Sequence, residues 1–276
     1  MSAGARTIGD DSRLDVAPDE VHLWCLGPGL DIEDALLARY AALLSEDERQ
    51  RLARYVTSDA AKQFVCTRAL VRVVLSRYAA RRPVEWVFAR GPHGKSIVAV
   101  ADPNSATNLA FSVSHTESMI VMAVSTGIRV GVDTESAGRK ISLELMRRTL
   151  ADPEYLELVR LPDDVRAERF LELWTLKESW LKAVGIGLDF APSHLLFSIL
   201  PDRRVDAAIV SPPAAALGDW QFVQCAVDGH IVAVCSEQSE PIRLRCRRII
   251  PLARDEQFDA EVLRFSQRAV RVRSET

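Results

Sequence analysis

Apolar residues recur along this chain in two rhythms, and the switches between them predict its elements. Residues 21–26 (VHLWCL) form an apolar run of strand length, followed over 32–55 by helical periodicity that breaks near Ser45. There Ser-Glu-Asp-Glu sets an N-cap hydroxyl ahead of an acidic first turn, so a second helix begins at that point. Over 59–78 the spacing brings Phe64, Ala69, Leu70 or Val71, and Val74 toward one face. Arg68 and Arg72 fall four apart on another, predicting an amphipathic helix packed on a sheet. Short segments rich in Val, Ile and Phe at 86–89, 97–100, 108–114 and 119–125 would supply that sheet.

A similar order then recurs. A strand is predicted over 128–134 (IRVGVDT), helices over 142–150 and 163–184, and strands over 195–200, 204–210, 220–227 and 230–236. The repeat predicts an α+β fold of two similar α/β-sandwich halves with pseudo-twofold symmetry, spanning 19–126 and 127–240. Residues 1–18 read as a disordered tail. Residues 241–276 read as a basic extension in which Phe258, Val262 and Phe265 are spaced for one docked helix.

Composition narrows the class. Of the 276 residues 48% are hydrophobic and 26% charged, which excludes collagen, coiled coil and global disorder. The formal charge of −3 is uneven: nine Arg against four acids make 241–273 a +5 stretch and leave −8 on the remainder. No nucleic-acid motif accompanies that stretch, so a solvated face or a surface for an acidic partner is expected, and nucleic acid is not. Five scattered cysteines form neither a zinc spacing nor a disulfide framework, which favours a reduced, cytoplasmic compartment. No apolar run reaches the roughly 18 residues of a membrane span, so no membrane partner is expected.

Two constellations carry chemistry. In Gly131-Val132-Asp133-Thr134-Glu135 a strand carries carboxylates at i and i+2, on one side and about 6–7 Å apart. In Trp174-Thr175-Leu176-Lys177-Glu178-Ser179-Trp180-Leu181-Lys182 a helix carries Glu178 and Lys182 one turn apart. Taken singly, the first is by default a solvated strand end and the second a surface ion pair. The apolar frame around both changes that, because a buried strand seldom carries two carboxylates without a cation. Three carboxylates without His or Cys suit Mg²⁺ or Mn²⁺ rather than zinc. A neighbouring lysine would neutralise charge on a phosphate, which points to phosphoryl or phosphodiester transfer.

GVDTE and WTLKESWLK together resemble the paired signature (V/I)G(V/I)DxE and (F/W)xxKExxxK of the 4′-phosphopantetheinyl transferases, and the length resembles the two-halved Sfp-type class. Upstream, Arg90-Gly91-Pro92-His93-Gly94-Lys95 resembles the family's Gly-Lys loop, and Phe111-Ser112-Val113-Ser114-His115-Thr116 its Phe-Asn-x-Ser-His segment. The helix start around 45–55, with Arg51 and Arg54, resembles its first basic helix. The resemblance implies a Mg²⁺-dependent monomer that moves the 4′-phosphopantetheine arm of coenzyme A to a serine of an acyl or peptidyl carrier protein, releasing adenosine 3′,5′-bisphosphate. It implies Asp133, Glu135 and Glu178 as metal ligands, Glu178 also as the base, and Lys182 as the stabiliser of pyrophosphate charge. Arg51, Lys95 and His115 would meet coenzyme A phosphates, while Arg90, Gly94 and Ser114 would shape the nucleotide pocket. A carrier would dock over 136–160, where Leu143, Leu145, Met146 and Arg147 or Arg148 offer apolar and basic contacts, although core packing explains the leucines equally well. Ser112 departs from the pattern's Asn, Ser96 from its Pro, and Glu48 from a helix position that can be basic. The same carboxylates with water as nucleophile would instead make a Mg²⁺-dependent phosphohydrolase, and without turnover a module that binds carriers or nucleotides.

Overall fold

A computed structural model describes residues 6–7, 13–27, 32–91, 96–98, 108–210, 219–266 and 271–272. The chain runs from β1 (Arg6–Thr7) and β2 (Glu20–Leu26) through α1 (Asp34–Ala41), α2 (Glu46–Leu52) and α3 (Ser58–Leu75) to β3 (Phe88–Arg90), β4 (Ser96–Val98), β5 (Leu109–His115) and β6 (Ile120–Thr126). It continues through β7 (Val130–Ser136), α4 (Leu143–Thr149), α5 (Asp152–Leu158), α6 (Asp163–Val184), β8 (Leu195–Ile199), β9 (Val205–Ile209), β10 (Trp220–Val227) and β11 (His230–Glu237). The last strands are β12 (Arg243–Ile250), β13 (Arg254–Phe258), β14 (Glu261–Phe265) and β15 (Arg271–Val272).

The two expected halves are present, and their topology matches. The first places its strands in the order β2-β6-β5 with α3 on the sheet; the second places β7-β11-β10 with α6 on the sheet. These two sheets pack against each other, so the layers run helix, sheet, sheet, helix. Within β2, Trp24 and Leu26 face the α3 layer, while Leu23 and Cys25 face the layer between the sheets. Burial on both faces explains why that strand has no polar alternation. The same division holds in β11, where Ile231, Ala233 and Cys235 face α6 and Val232 and Val234 face the other sheet.

Local chemistry explains the helix boundaries. Ser45 caps α2 in a capping box, its hydroxyl accepting from Glu48 N while the Glu48 carboxylate accepts from Ser45 N. Thr57 caps α3. α6 stops at Gly185, whose φ of 75° is left-handed and costs a glycine little.

Three expectations need correction. The strands β3 and β4 pair with each other rather than joining the large sheet, and β8 and β9 likewise form a separate small sheet with β15. The segment after residue 240 is not a docked helix: β12 lies parallel to β2, β13 pairs with β12, and β14 joins β10. Phe258 and Val262 lie on different strands, so their helical spacing straddles a turn. The decisive pattern is RLRCR, whose period of two puts Leu244 and Cys246 against the layer between the sheets. Within the expected tail, Arg6–Thr7 pairs with β13, and Leu14 and Val16 pack on the core.

The strand pairing also accounts for much of the +5 charge. Arg243 pairs with Asp19, Arg245 with Glu20, Arg247 with Asp255 and Arg248 with Asp228. These arginines fasten the returning strand to its neighbours, Arg247 from a half-buried position and Arg243 and Arg245 from exposed ones.

Candidate active site

The site lies where β5, the edge of the first sheet, meets β7, the edge of the second, under α6. Gly131 makes this possible. A Cβ added there would stand 1.8 Å from Ser179 O and 2.6 Å from Ala183 N, so only glycine lets α6 lie this close to β7. Two residues along the same face of β7 comes Asp133, and on α6 Glu178 and Lys182 each come one residue before a Gly131 contact, Ser179 and Ala183. The short motifs on strand and helix are thus two sides of one interface.

At its centre is a ring of three groups from three elements. Lys182 Nζ donates to Asp133 Oδ1 at 2.6 Å and to Ser114 Oγ at 2.7 Å, and Ser114 Oγ donates to the same Asp133 Oδ1 at 2.8 Å. Ser112, two residues earlier on β5, accepts from Val132 N at 3.1 Å and ties the strands at the backbone. Ser112, standing where the pattern has Asn, thus makes a hydrogen bond across the seam. Glu178 is half-buried beside this ring; burial first, then the charges of Asp133 and Glu135, push its carboxyl up to about 7 against the opposing pull of Lys182. Glu135 is held elsewhere, by Arg139 Nη1 at 2.6 Å and by Trp174 Nε1 at 3.0 Å.

This oxygen-rich set fits a hard divalent cation. Asp133 Oδ2 is buried and accepts no hydrogen bond from the described residues, and burial of such an oxygen without a partner is costly. Glu178 stands beside it. Glu135 would join by releasing Arg139, whose side chain is exposed. Among the described residues, no three carboxylate, His or Cys side chains are already gathered as a metal cage.

Of the residues expected at coenzyme A, Ser114 is buried in the ring and His115 stands at the end of β5. Partial burial and the Lys182 ammonium hold the His115 imidazole below its ordinary range. Arg51 lies apart from the ring, over the Phe64 face at 5.2 Å, on the wall of a cavity of about 950 Å³ between α2, α3 and the 84–89 segment. Arg90 occupies β3, paired through its backbone with Ser96. Gly94 and Lys95 lie outside the described residues. Glu48 belongs to the same cavity, bonded to Arg68 and to Arg72 at 2.7 Å. Burial pushes its carboxyl up, but Arg68, the Ser45 N–H and Arg72 outweigh that and hold it below the usual range. The acidic departure is thus the counter-ion that keeps two arginines inside.

Sequence reasoning missed Lys177. It is fully buried, pointing away from the ring, and pairs with Glu154 at 2.7 Å while donating to Pro192 O and Leu195 O. Glu154 also accepts from Ala151 N and Phe197 N at 2.8 and 2.7 Å. Glu154 follows the Asp-Pro that opens α5, a helix the apolar pattern did not reveal. Of the expected carrier contacts, Met146 is in the core and Leu145 packs against it, while Leu143, Arg147 and Arg148 are exposed.

Known proteins resemble the chain in both halves. Residues 129–235 match the family described as "4′-phosphopantetheinyl transferase superfamily", and residues 33–127 match "4′-phosphopantetheinyl transferase, N-terminal". The chain is 30% identical over 227 residues to the 4′-phosphopantetheinyl transferase HetI of Nostoc sp., covering 75% of this chain and 92% of the relative. It is 29% identical over 234 residues to a phosphopantetheinyl transferase of Thraustochytrium sp., covering 80% of each. To the L-aminoadipate-semialdehyde dehydrogenase-phosphopantetheinyl transferase of Homo sapiens it is 26% identical over 217 residues, covering 72% and 69%. Among solved structures, Thermotoga maritima holo-[acyl-carrier-protein] synthase aligns with 52% of this chain and 99% of its own, at a TM-score of 0.36 and 15% identity. A match at 30% identity over nearly the whole Nostoc relative, with one family description for each half, makes the chain a member of the 4′-phosphopantetheinyl transferase superfamily, an enzyme of its two-halved, Sfp-type class.

Proposed function

We propose that this enzyme transfers the 4′-phosphopantetheine arm of coenzyme A to a serine of an acyl or peptidyl carrier protein, with Mg²⁺, releasing adenosine 3′,5′-bisphosphate. The observation that carries the reading is the meeting of Asp133, Glu178 and Lys182 at one seam, with a buried Asp133 oxygen that has no partner among the described residues. Asp133, Glu178 and, after releasing Arg139, Glu135 would hold the cation, which supplies charge neutralisation on the pyrophosphate when bound. The carrier serine oxygen forms the new bond to phosphorus, its proton passes to Glu178, and the bond to the leaving bisphosphate breaks. Lys182 sits beside Asp133 and would meet the charge that grows on the leaving oxygen. His115, at the same end of β5, Arg51 and Lys95 would meet coenzyme A phosphates, with Arg90 and Gly94 at the nucleotide.

Leu143, Arg147 and Arg148, exposed on α4, would receive the acidic helix of a carrier. All five cysteines are free and buried, which supports a reduced, cytoplasmic setting. Both sides of the site come from one chain, so the reaction needs no second copy. No helix among the described residues is long and apolar enough to cross a membrane.

The test is transfer of a labelled arm from coenzyme A to fatty-acid, polyketide and nonribosomal-peptide carriers in the presence of Mg²⁺. Carrier-dependent labelling is expected. Release of free phosphopantetheine without any carrier would replace this reading with hydrolysis, and tight coenzyme A binding without turnover would replace it with a binding module.

A further inference from the structure

We propose that Ser114, through its hydroxyl, is a positioning residue for the Asp133 carboxylate and the Lys182 ammonium. The proposal rests on the reading of the site as a cation-assisted transferase.

Three observations carry it. A serine hydroxyl has one proton to donate, and Ser114 gives it to Asp133 Oδ1 at 2.8 Å while accepting from Lys182 Nζ at 2.7 Å. The side chain is buried, which leaves little room for a ligand phosphate at the same oxygen. Finally, the two bonds received by Asp133 fall on Oδ1 alone, from Ser114 and Lys182, while Oδ2 receives none from the described residues. One carboxylate oxygen is therefore engaged inside the protein while the other remains for a cation, and the hydroxyl helps hold the carboxylate in that orientation.

Its place in the fold gives the contact its purpose. Ser112 and Ser114 are i and i+2 on β5, so both reach across the seam from one side of the strand. Ser112 fixes the backbone of β7 through Val132 N, and Ser114 fixes the side chain that follows. Lys182 is a long side chain with many rotamers, and its pairing with Asp133 does not by itself fix the carboxylate plane. With the hydroxyl as a third point the plane is set. Without it the carboxylate plane is free to tilt, and the unengaged oxygen is no longer held in one direction.

The experiment compares the full-length chain with Ser114→Ala and Ser114→Thr, each checked for cooperative unfolding. Mn²⁺ affinity is measured by calorimetry without coenzyme A, and kcat and KM for coenzyme A by arm transfer. Ser114→Ala is expected to weaken Mn²⁺ binding and to lower kcat, each by about 10- to 100-fold. KM for coenzyme A should stay within about two-fold. Ser114→Thr, which restores the hydroxyl on a residue favoured in strands, should recover most of both. A rise in KM with unchanged kcat and Mn²⁺ affinity would overturn the proposal and make Ser114 a substrate contact. An equal loss in the folded Thr variant, or no loss in Ala, would overturn it as well. Absence of transfer by the wild-type chain would overturn the functional reading instead, while the Mn²⁺ titration still decides the role of Ser114.

Discussion

Asp133 and Lys177 show how differently two buried charged residues serve this protein. Asp133 shares its one engaged oxygen with Ser114 and a Lys182 side chain that keeps 31% of its surface in solvent. Asp133→Ala should therefore lower turnover by at least about 100-fold while changing the unfolding free energy by no more than about 1 kcal/mol. Carrier labelling and urea unfolding of the same preparation separate the two effects. Lys177 has no solvent access, and its loss strands Glu154, whose carboxyl burial already pushes above its ordinary range. Lys177→Met should cost about 3–5 kcal/mol, and adding Glu154→Gln should return much of that. Equal stability of the single and double variants would show that the ion pair is not the cause. The sequence marked Asp133 because two carboxylates on an apolar strand are unusual. It did not mark Lys177, because nothing local distinguishes a lysine on the exposed turn of a helix from one that meets an acid from another helix.

At the scale of elements, helix ends and apolar strand runs were readable because their causes are local. Ser45 with Glu48, and Thr57, act within a turn, and 163–184 was delimited by helical spacing before Gly185. Pairing was not readable, since β3 with β4 and β12 with β2 depend on which edges are still open when the segments meet. Phe258, Val262 and Phe265 misled for the same reason: a spacing of four and three has no meaning once a turn separates the strands. Gly131 links the element scale to the site. Gly131→Ala should push α6 off β7 and destabilise the fold by about 1–3 kcal/mol or more, because the clash at 1.8 Å is with backbone. Activity should fall further than stability, since Lys182 and Glu178 move with the helix. Equilibrium unfolding together with kcat checks this, and an active variant of wild-type stability would disprove the close approach.

For the whole molecule, the first sheet is closed by a strand from the far end of the chain, and His22 on β2 lies beneath that join. Its Nδ1 meets Tyr78 Oη at 2.7 Å and its Nε2 meets Glu20 Oε1 at 3.1 Å, while Arg245 also takes Glu20. Burial, aided by the Arg247 charge, lowers the imidazole from 6.5 to about 4. The unfolded chain binds a proton through that window and the folded chain does not, so stability is full above 6.5 and falls as pH drops toward about 4. The loss attributable to His22 is about 3 kcal/mol. Urea unfolding from pH 7 to 4.5 should show it, and His22→Gln should flatten the slope; an unchanged slope would assign the protons elsewhere.

The sequence by itself determined the two-halved order of elements, the helix caps, and the strand and helix motifs that carry the carboxylates and lysine. These follow from periodicity and side-chain chemistry acting over one or two turns. Only the tertiary structure decided that Glu48 is a counter-ion, that Lys177 faces away from Asp133, that the C-terminal arginines pair with acids, and that Ser114 joins three elements at one hydroxyl. Glu48 with Arg68, Lys177 with Glu154, Arg243 with Asp19 and Ser114 with Lys182 each join residues 20 or more positions apart, and where the pair is buried a charge or hydroxyl must find its partner across the fold.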